Sequence, residues 1–95
     1  MQVSIEISLY PLAEAQFKTE IWAFIKRLRL VDGLTVVTNG MSTQVFGDYD
    51  LATSKVMAEI KQVHHTIGTA VFVCKFIGGD RSVVQSERQC IEEEI

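Results

Sequence analysis

Apolar and polar residues alternate along the first stretch of the chain. From Gln2 to Tyr10, Val3, Ile5, Ile7 and Leu9 fall on one side, and Ser4, Glu6, Ser8 and Tyr10 on the other. A period of two belongs to a half-buried β-strand, and Pro11 ends it because proline cannot donate to a ladder. From about Ala13 to Arg29 the period turns helical: Phe17, Ile21, Phe24 and Leu28 form one apolar stripe, widened by Trp22 and Ile25. Lys26, Arg27 and Arg29 suit the last turn of such a helix, where cations complement the dipole, and Asp32-Gly33 supplies the stop.

Two strand-like runs follow, LTVVT (34–38) and MSTQVF (41–46), flanking Asn39-Gly40. Asn-Gly between such runs predicts a hairpin with a two-residue turn, in which 38 faces 41, 36 faces 43 and 34 faces 45. Leu34, Val36, Thr38, Met41, Thr43 and Val45 then point to the core, and Thr35, Val37, Ser42, Gln44 and Phe46 away from it. GDYD at 47–50 offers an aspartate N-cap for a second helix reaching about His65, with Leu51, Val56, Ile60 and Val63 as its buried stripe. TAVFVCKFI (69–77) is a last strand, apolar at both parities, and its facing stays open. The polar remainder, 79–95, ends in acidic residues and reads as a tail beyond a 1–78 domain.

Strand, helix, strand, strand, helix, strand is an α+β order. Helices covering one face, joined by right-handed crossovers, give a ferredoxin-like βαββαβ domain with strand order 4-1-3-2 in an antiparallel sheet. The outer face then carries Ser4, Glu6, Ser8 and Tyr10 beside Ser42, Gln44 and Phe46. Tyr10, Val37, Phe46 and, for one facing of the last strand, Phe72 add more apolar area than a bare monomer tends to expose. Glu6 stands in the middle of a central strand, where carboxylates are disfavoured unless solvated or bound. Such a face implies a ligand, a partner subunit, or both.

Ninety-five residues at a net charge of −3 and a pI of about 5.3 make one domain without the basic stripe of a nucleic-acid binder. No run approaches a membrane span, and the N-terminus lacks the pattern of a signal peptide. Cys74 and Cys90 sit in unlike contexts, and reduced thiols fit a cytoplasmic address. Catalytic chemistry finds little support. His64 and His65 are adjacent and so do not share a helix face, and no third ligand has metal-site spacing. Cys74 alternates within an apolar strand-like run, so a structural thiol is the better reading than a nucleophile. Gly78-Gly79 leads into Asp80 instead of a helix N-terminus, which leaves no phosphate loop.

ISLYPL (7–12) and TNGMSTQVFGDYD (38–50) resemble the YkoF-like thiamine/hydroxymethylpyrimidine-binding family of the thiamine-binding-protein superfamily, over residues 3 to about 78. The second segment is the more specific: a hairpin carrying Met-Ser-Thr, then a Gly-Asp step into a helix. YkoF resembles a tandem of two such domains, whereas this chain has one. The resemblance therefore implies a homodimer or homotetramer. It further implies non-catalytic binding of thiamine or its hydroxymethylpyrimidine moiety, in vitamin supply or salvage, with no cofactor other than that ligand. Glu6 would meet the exocyclic amine or the thiazolium, Ser8, Asn39 and Ser42 would complete the polar contacts, and Tyr10 or Phe46 would stack on the ring. Met41 and Thr43 belong to the same segment. The competing expectation is a regulatory or oligomerisation module akin to ACT domains, its sheet serving contacts between subunits.

Overall fold

A computed structural model describes residues 1–11 and 17–82. β1 (Gln2–Pro11) is followed by α1 (Phe17–Arg29), β2 (Thr35–Thr38), β3 (Thr43–Asp48), α2 (Tyr49–Ile67) and β4 (Ala70–Gly78). The strands form one antiparallel sheet in the order β2-β3-β1-β4, as the element pattern predicts. The predicted start of the first helix near Ala13 and the tail from Val83 onward lie outside the described residues.

The core lies between the helices and the inner sheet face. Val3, Ile5 and Ile7 of β1 and Val45 of β3 meet Phe24, Ile25 and Leu28 of α1 and Ala52, Val56, Ile60 and Val63 of α2. Burying such aliphatic side chains stabilises the fold by about 1.5–3 kcal/mol each relative to exposure. Across the helices, Arg27 pairs with both Glu59 of α2 and Glu20 of its own helix. Burial works against that guanidinium's charge, but hydrogen bonds to the two carboxylates raise its pKa overall. The α2 N-terminus is capped by Asp48, whose Oδ2 accepts from the Leu51 amide at 3.1 Å.

The hairpin departs from its predicted register. Thr38 pairs with Thr43 and Val36 with Val45, so Asn39–Ser42 form a four-residue loop. The Asn39 side chain is the cause. Its Oδ1 accepts from the Met41 amide (2.8 Å) and the Ser42 amide (3.2 Å), while the Asn39 amide donates to the Ser42 carbonyl (3.2 Å). An asparagine that turns the chain with its own carbonyl removes the need for a tight turn of left-handed residues, and Gly40 is not among the positive-φ glycines. A slip of two residues preserves parity. Thr43 and Val45 therefore still face the core, and Gln44 and Phe46 still face outward. Met41 is the exception: predicted to point inward, it stands at the loop at 88% exposure.

β4 settles its own facing by pairing with β1. Val71, Val73, Lys75 and Ile77 stand opposite Tyr10, Ser8, Glu6 and Ser4 on the outer face. Phe72 consequently points inward, against Phe24 (ring centroids 5.7 Å apart) and edge-on to His64 (5.3 Å), and adds nothing to the outer surface.

Candidate functional site

A cleft of about 290 Å³ opens where the C-terminal half of β1, the first turns of α1 and the hairpin loop meet. Ser8, Tyr10, Asn39, Met41, Ser42 and Thr43 all line it, so most of the residues singled out in the sequence converge there. Its walls are apolar: Ile7 and Leu9 come from β1, and Ile21, Phe24 and Ile25 from α1. Polar groups ring the opening. Thr43 is buried, its hydroxyl 3.1 Å from that of Thr38 across the hairpin. The Asn39 carbonyl is committed to the loop, which leaves its amide nitrogen as a donor. Tyr10 and Lys18 stand at the rim with exposed side chains. An apolar slot with a few convergent donors suits a small flat ring more than an extended chain.

Glu6 and Phe46 belong elsewhere. They line a second hollow, of about 260 Å³ on the outer sheet face, together with Ser4, Gln44, Lys75, Ile77 and Arg81. A hydrogen bond links a lining residue of each hollow, Ser42 of the first and Glu6 of the second. The Glu6 Oε2 accepts from the Ser42 hydroxyl (3.1 Å) at the cleft wall, and its Oε1 lies 3.5 Å from the Lys75 ammonium. The single predicted surface is thus divided between two hollows, and the Ser42–Glu6 hydrogen bond joins them. Phe46, expected as an open stacking ring, is only 8% exposed. Its register puts Ser4 on one side and Thr35 on the other, which leaves little of its face for a ligand.

Sequence reasoning missed Trp22 and Lys18. Trp22 was assigned to the buried stripe of α1, yet it is 52% exposed and lines the cleft. The signal was available: Trp22 lies one position past Ile21, about 100° around the helix from it. A tryptophan off the main stripe is a recognised marker of a contact surface. The opposite facing of Tyr10 on a strand gives a second aromatic at the same opening.

The chain matches no protein-family model and no curated protein. Among solved structures it is similar to a hypothetical protein from Methanocaldococcus jannascii, at 23% identity and a TM-score of 0.71, with 98% of this chain and 96% of the other covered. A Streptococcus pneumoniae protein gives 18% identity and a TM-score of 0.76, covering 97% and 99%. A candidate thiamine biosynthesis/salvage protein from Thermotoga maritima gives 14% and 0.71, covering 98% and 99%. At these identities the likeness carries the fold, a small ferredoxin-like domain matched from end to end. Among the described residues no helix is long and apolar enough to cross a membrane.

Proposed function

We propose that this chain binds thiamine or its hydroxymethylpyrimidine moiety without turning it over, in the cleft between β1, α1 and the hairpin loop. The convergence of Ser8, Asn39 and Ser42 with Trp22 and Tyr10 around one apolar slot carries this reading. An aminopyrimidine is flat, stacks on an aromatic and presents ring nitrogens to donors such as the Asn39 amide and the Ser8 hydroxyl. Lys18 at the rim disfavours entry of the cationic thiazolium, so the neutral pyrimidine end enters and the thiazolium lies toward Glu6. Ser42, already hydrogen-bonded to Glu6, links that carboxylate to the bound ring. The end-to-end fold likeness to a candidate thiamine biosynthesis/salvage protein supports the assignment, and vitamin supply or salvage in the cytoplasm, by a homo-oligomer, is the role it fits.

Calorimetric titration with thiamine and with hydroxymethylpyrimidine tests the reading. Saturable heat is expected for both, lost on Trp22→Ala and weakened on Asn39→Ala. Glu6→Gln should weaken thiamine more than the uncharged pyrimidine. Absence of heat with either ligand at millimolar concentration removes the proposal. A second reading, a regulatory or oligomerisation module akin to ACT domains, is favoured by the exposed Val37, Val71, Val73 and Ile77 on the outer face. That reading predicts association in light scattering together with no response to either ligand.

A further inference from the structure

The sheet has two outer strands of very different length. β2 presents Thr35–Thr38 at one end, while β4 presents Ala70–Gly78 at the other, and among the described residues no strand lies beyond it. Backbone groups alternate in direction along a strand, so an outer strand keeps a row of N–H and C=O groups facing away from the sheet. Edges that avoid pairing are short, bulged, proline-bearing or charged. β4 has none of these protections in strength. It contains no proline, and its ladder with β1 runs without a break from Val3↔Gly78 to Pro11↔Ala70. Its one charge, Lys75, is turned to the outer face beside Glu6. Apolar side chains also stand open on both faces of the strand: Val71, Val73 and Ile77 outside, and Phe76 at 48% exposure on the helix side.

We propose that two copies of this chain pair antiparallel through β4, about a two-fold axis at Cys74, into one continuous sheet with four strands from each copy. This interface is independent of the ligand reading above. Symmetry restricts the register. Residues opposite one another in a ladder must point to the same face, so the axis passes through a residue and not between two. Cys74 is the midpoint of Ala70–Gly78, and only that centre pairs the whole strand. It sets Val73 opposite Lys75, Phe72 opposite Phe76 and Val71 opposite Ile77, completing both apolar faces. Centring on Lys75 instead would set two ammonium groups face to face, which is destabilising. The contact is isologous, so a closed pair forms and not an open filament.

Sedimentation equilibrium on the full chain, with Cys90→Ser so that Cys74 is the sole thiol, tests the pairing. A dimer at micromolar concentration is expected, and mild oxidation should join Cys74 to its mate in a reductant-sensitive band. Val73 is half-exposed, so both charge signs can be placed there without disturbing the core. Val73→Lys faces Lys75 twice across the axis and should weaken dimerisation by roughly tenfold or more, whereas Val73→Glu faces it attractively and should retain the dimer at low salt. A monomer overturns the proposal. So does a dimer that the two variants weaken equally and in which Cys74 does not cross-link, because contact through the outer face predicts that result. The difference between the two variants is internally controlled, since each loses the same valine.

Discussion

Ser4 is 4% exposed, and its hydroxyl ties the first strand to the segment that follows the last. It donates to the Gly79 carbonyl (2.8 Å) and accepts from the Arg81 amide (2.8 Å), so Gly79–Ser82 folds back over the outer face beside β1. The Gly79 amide adds a bond to the Gln2 carbonyl, and a φ of +108° there is open to glycine at little cost. Ser4→Ala removes the buried hydroxyl that the Gly79 carbonyl and the Arg81 amide share as a partner. It should destabilise the domain by about 1–3 kcal/mol, read from urea denaturation, and hasten hydrogen exchange at the Arg81 amide. Alternation showed Ser4 to be an outward strand position and nothing more, since its partners lie more than seventy residues away in the chain. Asn39 differs in this respect. Its capacity to cap its own loop is local, and the Asn-Gly pair marked the turn correctly while misjudging its length.

At the scale of elements, the β2–β3 hairpin is held where it meets the end of α1. Gly47 in β3 is buried, and a Cβ there would lie 2.7 Å from Leu34 Cδ2 and 2.8 Å from the Gly33 carbonyl oxygen. The leucine can turn aside, but the carbonyl belongs to the backbone of a turn with Gly33 at φ +93°. Gly47→Ala should therefore cost about 1–3 kcal/mol, seen as a lower denaturation midpoint without a change of fold by circular dichroism. The same contact sets the height of the hairpin against the helices, and with it the position of the loop that forms one wall of the cleft. The long apolar stripes of α1 and α2 were legible because each helix face repeats its signal over several turns. Trp22 escaped that reading because periodicity reports which side of a helix is apolar, whereas the neighbour that covers it is a matter of packing.

For the whole molecule, the half-buried Cys74 links stability to pH. Burial pushes its thiol pKa upward, so the native state keeps the proton longer than the unfolded chain does. Stability from this group is complete below the ordinary thiol range and is lost as pH rises through the elevated folded value. The urea midpoint of the wild-type chain should fall with rising alkaline pH more steeply than that of Cys74→Ala. Equal slopes for the two proteins would show that the thiol titrates no differently on folding. Pairing of β4 strands would set the two thiols against each other across the axis, so this slope should be steeper where the dimer prevails.

Alternation in β1, the helical stripes of α1 and α2 and the punctuation at Pro11, Asp32-Gly33 and Asn39-Gly40 determined the element order, and right-handed connectivity then determined the sheet. These signals are local, and each is repeated along its element. Strand facing in β4 was undetermined because both parities are apolar, and only pairing with β1 turned Phe72 inward and Val73 outward. The tertiary structure alone divided the expected site in two. It kept Ser8, Tyr10, Asn39, Ser42 and Thr43 at the cleft and left Glu6 and Phe46 in a second hollow farther along the sheet. A cleft is formed by surfaces that arrive from separate elements, and the distances between those surfaces are set by core packing, which no single stretch of sequence encodes.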